Sequence, residues 1–123
     1  MKKQIMIVDD VAICNLMVKK LFSLISTEYE VKDYLKPMDA FQAISSNNPD
    51  LIFLDLNMPV LDGWQFLEKM KAENLTNPVI ILTSSISNLD RNKCIEYTNV
   101  LDYQIKPPSK EGLEGLLKTY LSN

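Results

Sequence analysis

Residues 51–59 read LIFLDLNMP: four apolar residues, then Asp55, with Pro59 closing the segment. A run this short and this apolar predicts a strand covered on both faces, as in a parallel sheet. QIMIV (4–8) and PVIILT (78–83) have the same character, so the three runs, taken as 4–8, 51–55 and 78–83, predict central strands. YEVKDY (29–34) and VLDYQI (100–105) are mixed in polarity and predict edge strands with one side toward water. A carboxylate at the end of a buried run is what any fold for this chain has to explain.

Between these strands lie stretches of helical length. Residues 11–25 place Ile13, Leu16, Met17, Leu21, Leu24 and Ile25 at spacings of three and four, which predicts a helix with those residues toward the core. Residues 38–46 set Ala40, Phe41 and Ile44 on one stripe. Asp62 is a candidate cap for a helix to about Glu73 that buries Phe66, Leu67 and Met70. Ser87 or Asn88 is placed to cap another through Tyr97, with Asn99 as a left-handed residue after its end. Ser109 is placed to cap the last, which buries Leu113, Leu116, Leu117 and Tyr120. Strands alternating with helices predict a single-domain α/β fold, a doubly wound (βα)5 with a parallel five-stranded sheet. With strands 1, 3 and 4 internal and 2 and 5 at the edges, the order 2-1-3-4-5 fits, and the functional crevice is expected beyond the carboxyl ends of the strands.

Composition narrows the function. The 123 residues suit one domain, and 46% hydrophobic with 24% charged residues is an ordinary globular balance. A net charge of −3, without a basic cluster, argues against direct nucleic-acid binding. The chain has no histidine, and Cys14 and Cys94 stand far apart with no CxxC, which removes the common zinc patterns and predicts reduced, packed thiols. The apolar part of MKKQIMIVDD is too short for a signal peptide and no run reaches membrane-spanning length, so the expectation is a cytoplasmic protein without a membrane partner.

The predicted strand ends carry Asp9 and Asp10, Asp55, Thr83 and Lys106. Three clustered carboxylates repel one another unless a cation neutralises them. A hard divalent ion, Mg²⁺ or Mn²⁺ in its place, suits oxygen ligands of this kind and would attract a phosphoryl donor. Asp55 is then a nucleophile able to form an acyl phosphate. Lys106 can pair with its carboxylate before transfer and with phosphoryl oxygens after it, and Thr83 can donate a hydrogen bond to the same group.

VDD (8–10), LDLNMPVLDG (54–63), ILTS (81–84) and YQIKPP (103–108), in this order and spacing, resemble a response-regulator receiver domain of the single-domain CheY type. The resemblance implies that Asp55 is the phosphoacceptor, served by the histidine of a sensor kinase or of a histidine phosphotransfer protein. It implies that Asp9, Asp10 and Asp55, with the Asn57 backbone carbonyl, hold Mg²⁺. It also implies that Thr83 and Tyr103 form a switch, Tyr103 rotating inward, and that the Lys106–Pro107 peptide is cis. A receiver covering residues 1–123 with no output domain would signal through a partner protein. Candidate docking residues are Leu89, Arg91, Asn92, Tyr103 and Pro108, with the exposed face of the first helix, as at Asn15. Three alternatives stand beside this reading. A haloacid-dehalogenase-type phosphatase would carry an aspartate where Asn57 stands, and its nucleophile on its first strand. A flavodoxin-like cofactor binder would need a phosphate loop after strand 1, where two aspartates stand. A degenerate receiver would lack one of the chemical positions, all of which are filled here.

Overall fold

A computed structural model describes residues 2–121. Strands β1 (Lys3–Val8), β2 (Tyr29–Tyr34), β3 (Leu51–Leu54), β4 (Val79–Thr83) and β5 (Val100–Ile105) alternate with helices α1 (Ala12–Ile25), α2 (Pro37–Asn47), α3 (Gly63–Ala72), α4 (Asn88–Lys93) and α5 (Lys110–Leu121). The strands form one parallel sheet of order β2-β1-β3-β4-β5. Polarity places the strands as the sequence predicts: β3 and β4 are buried at every position, whereas β2 and β5 are only partly covered.

Two cores flank the sheet. On one side Met6, Val8, Ile52, Leu54 and Ile81 meet α2 and α3 through Phe41, Ile44, Phe66 and Met70. On the other Ile5, Ile7, Phe53 and Ile80 meet α1 and α5 through Val18, Phe22, Leu113 and Leu117. Edge-to-face ring pairs fix both, Phe41 with Phe66 at 5.6 Å between centroids and Phe22 with Phe53 at 5.8 Å. Among the described residues no helix is long and apolar enough to cross a membrane.

α1 lies where it is expected but is turned about its axis. Its buried residues are Asn15, Val18 and Phe22, while Ile13, Leu16 and Leu24 are each about 60% exposed. The helix carries apolar residues on nearly its whole circumference, so periodicity alone does not choose a face. The choice falls to Phe22, whose ring seats against Phe53 and Tyr29. Asn15, expected on the exposed face, is fully buried.

The segment after α4 also differs. The α-helix stops at Lys93 and tightens into a 3₁₀ turn over Cys94–Glu96, after which Tyr97 is extended and buried. Asn99 is not left-handed: among the described residues, the positive-φ residues other than glycine are Asn48, Val60 and Asn74. Its side-chain amide instead donates to the Asn77 carbonyl at 3.0 Å, tying the turn to the loop before β4.

Candidate functional site

The parallel ladders run one residue past the strands and seat the acids. Asp9 N–H donates to the Tyr34 carbonyl at 3.1 Å, and Asp55 N–H to the Val8 carbonyl at 3.0 Å. Both are buried, and with half-buried Asp10 they bring carboxylate oxygens within 4.8 Å of one another. Thr83 ends β4 fully buried, and its carbonyl accepts from Lys106 N–H at 2.8 Å, which carries the lysine to the same edge. The Lys106–Pro107 peptide is cis.

Behind Asp55 the loop into α3 is packed against the strand. Gly63 N–H donates to the Leu56 carbonyl at 2.9 Å, and a Cβ on Gly63 would lie 2.6 Å from the Asp55 carbonyl oxygen. That approach requires glycine. Asp62 and Gln65 then close a reciprocal capping box at the start of α3. Val60, at the exposed tip of the loop, has φ 71°, a strained value for a β-branched residue.

Lys106 Nζ forms its closest ion pair with Asp9 Oδ2 and lies 3.5 Å from Asp55 Oδ2. The pairing with Asp55 that the sequence suggests is present, and the ammonium pairs with Asp9 as well, more closely. Burial raises the Asp55 carboxyl above its ordinary value, opposed by the Lys106 charge, while the Asp9 charge adds to the rise. Hydrogen bonds from the Thr83 hydroxyl and the Asn57 backbone hold it partly down. For Lys106 burial works against the charged form, but the Asp9 and Asp55 carboxylates prevail and the ammonium is raised. Three carboxylates against one ammonium leave a surplus of negative charge at this edge of the sheet. That surplus, with oxygen donors this close, fits a hard divalent cation.

The hydroxyl end of the site is continuous with Tyr103. Thr83 Oγ1 accepts from Ser85 N–H at 3.4 Å, the Tyr103 hydroxyl donates to the Ser85 carbonyl at 2.8 Å, and Ser85 Oγ donates to Asp90 at 2.6 Å. Arg91 stacks over the Tyr103 ring at 4.8 Å. Tyr103 is therefore buried, 5% exposed, and is not a surface residue as its place among the docking candidates supposed; Pro108 is half-buried, whereas Leu89, Arg91 and Asn92 are exposed. Trp64 stacks on Tyr97 at 5.9 Å under Lys93, a packing role. Ser85 and Asn15 are the contributors that the strand-end reading passes over. For Asn15 the signal was a polar residue five positions after Asp10, set among apolar ones.

Comparison with known proteins agrees with this fold. The response regulator receiver domain model matches residues 5–118. A probable transcriptional regulator, ycf27, of Porphyridium aerugineum is 30% identical over 98% of this chain and 48% of its own length. The sensor histidine kinase RcsC of Escherichia coli is 32% identical over 75% of this chain and 10% of its own. The chain thus spans about half the length of the first of these relatives and a tenth of the second. The chemotaxis protein CheY4 of Vibrio cholerae superposes with a TM-score of 0.86 at 23% identity, covering 98% of this chain and all of that one. The receiver domain of a Pseudomonas aeruginosa sensor histidine kinase, with a magnesium ion coordinated in its active-site cleft, superposes at 0.82 with 24% identity, covering 98% of each chain. With the family model spanning nearly its whole length, the chain belongs to the response regulator receiver domain family.

Proposed function

We propose that this receiver accepts a phosphoryl group on Asp55 from a phosphohistidine of a sensor kinase or phosphotransfer protein, in a reaction that depends on Mg²⁺ or Mn²⁺. The observation that carries the reading is the placement of a buried carboxyl, raised by burial, within 4.8 Å of two more carboxylates and 3.5 Å from an ammonium. Asp55 Oδ attacks phosphorus, the P–N bond breaks, and its electron pair leaves with the imidazole. Asp9, Asp10, Asp55 and the Asn57 carbonyl would hold the cation, which neutralises the clustered carboxylates and offsets charge on the phosphoryl oxygens. Lys106 and Thr83 then donate to those oxygens. The protein is not a conventional enzyme; in this reading it catalyses its own modification and its reversal.

Output follows from the Thr83–Ser85–Tyr103 chain. A phosphoryl group adds about −1.5 to −2 of charge and strong acceptor oxygens at Asp55. Drawing the Thr83 hydroxyl toward them favours the inward Tyr103 arrangement over any outward one, and so biases the neighbouring surface of α4 and β5. Leu89, Arg91 and Asn92 belong to that surface, which a partner protein would read. Exposed Ile13, Leu16, Met17 and Leu24 form an apolar stripe along α1, the helix that follows Asp9 and Asp10, and this second surface is suited to the donor protein. The test is incubation with acetyl phosphate and Mg²⁺ followed by intact mass. The expected result is a gain of one phosphoryl group, absent with EDTA and removed by hydroxylamine. Labelling that survives EDTA would refute the metal-dependent reading.

A further inference from the structure

The buried face of α1 holds one residue that packing does not explain. Asn15 is 0% exposed, between Val18 and Phe22 of the core and the acidic end of the sheet. Burying an amide costs free energy unless its hydrogen bonds are made. Asn15 makes half of them: Nδ2 donates to the Asp9 carbonyl at 3.0 Å, while Oδ1 is buried without a hydrogen-bond partner among the described residues. Asn15 lines a cavity of about 30 Å³ whose wall is mostly apolar, with Ile7, Val18, Phe53 and Leu82, and carries Asp9, Asp55 and Lys106 as its polar members. A cavity needs roughly 10–15 Å³, and polar groups in its wall to bond the molecule, to hold a water.

We infer that Asn15 is a positioning residue for the acidic site, its amide fixing the Asp9 main chain and its Oδ1 anchoring a buried water in that cavity. Lys106, with three N–H donors and two carboxylate partners, has one left to share with this water, and Cys14 offers a weak second contact. Asp9 is then held at four points: its carbonyl by Asn15, its N–H by the Tyr34 carbonyl, Oδ1 by Val11 N–H at 3.0 Å and Oδ2 by Lys106. Releasing the first lets the residue turn and moves both carboxylate oxygens. Mg²⁺ tolerates little departure from octahedral geometry, and loss of a group that orients a ligand typically weakens metal binding by about 10- to 100-fold.

The inference rests on reading Asp9 as a metal ligand, and the test separates the two. Mg²⁺ is titrated into the intact protein, followed by fluorescence of Trp64, the single tryptophan, which borders the groove at Asn57. Urea unfolding without metal is measured in parallel. Asn15→Leu removes both the amide and the orphaned oxygen at similar volume, so its stability stays close to wild type while Mg²⁺ binds about tenfold more weakly. Asn15→Ala is the less stable variant, but it leaves room for a second water to reach the Asp9 carbonyl, so its Mg²⁺ affinity falls between wild type and Asn15→Leu. Opposite rank orders in stability and affinity are the signature; a residue that only packs would leave the affinity of both variants unchanged, which overturns the proposal. If Asn15→Leu does not fold, an unchanged affinity in Asn15→Ala overturns it equally. A wild-type protein that binds no Mg²⁺ refutes the reading of the site instead.

Discussion

Helices α1 and α3 pack on opposite faces of one sheet, each following a strand that delivers carboxylates to the site. α3 has one apolar face, and Phe66, Leu67 and Met70 on it are buried. α1 has two apolar faces and buries the one that carries Asn15, leaving Ile13, Leu16, Met17 and Leu24 exposed. α3 serves the core with this face, and its first residue, Gly63, packs behind Asp55. α1 serves the core with Val18 and Phe22, the acidic pair with Asn15, and, in our proposal, a donor protein with its outer stripe.

Truncation separates the two most strongly. Phe66→Ala on α3 should cost about 3–5 kcal/mol in urea unfolding, through lost burial and the cavity left beside Phe41. Leu16→Ser on α1 should change stability by less than about 0.5 kcal/mol, since Leu16 is exposed. The same change should slow phosphotransfer from a phosphohistidine donor while leaving labelling by acetyl phosphate unaltered. A loss from Leu16→Ser comparable to that from Phe66→Ala would mean that α1 is turned the other way.

Where the strands preceding the two helices meet, stability and chemistry oppose each other. Burial, the largest cause, holds the Asp55 carboxyl above its ordinary value. A group raised in the folded state stabilises below its unfolded value, near pH 4, and that contribution is lost as pH rises through the folded value. Metal-free Asp55→Asn should therefore melt above wild type at neutral pH, the gap closing as the pH falls to about 4 and below, where wild-type Asp55 is protonated. Differential scanning without metal across that range checks this; a wild type that melts higher at neutral pH contradicts it.

The smallest contrast is at the helix starts. Asp62 and Gln65 close a capping box on α3, whereas α1 begins at Val11 with no side-chain cap, its N–H engaged by Asp9. Asp62→Ala should cost about 1 kcal/mol, and Val11→Ser should gain a few tenths up to about 1 kcal/mol in chemical unfolding. No gain from Val11→Ser would mean that the start of α1 is satisfied by other means.

Much of this was legible because strand ends are. Once LIFL is read as a covered strand, Asp55 has to emerge at the sheet's edge, and the runs ending at Val8, Thr83 and Ile105 bring Asp9, Thr83 and Lys106 to the same edge. Polarity along 29–34 and 100–105 gave the sheet order for the same reason. What depends on rotation or on competing partners was not legible. The setting of α1 was decided by Phe22 against Phe53, a contact between residues remote in sequence. The preference of Lys106 for Asp9 over Asp55 depends on ångström-scale placement. Asn99 satisfied its turn with a side-chain hydrogen bond rather than a left-handed backbone.

Three carboxylates share the crevice, and the proposed function rests on Asp55 being the one that takes the phosphoryl group. After labelling with acetyl phosphate and Mg²⁺, borohydride reduces an aspartyl phosphate to homoserine, and peptide mass mapping locates the product. Homoserine at position 55, with positions 9 and 10 unchanged, is the expected result. Homoserine at position 9 or 10, or its persistence elsewhere in Asp55→Asn, would show that the acid at the end of LIFLD is not the phosphoacceptor.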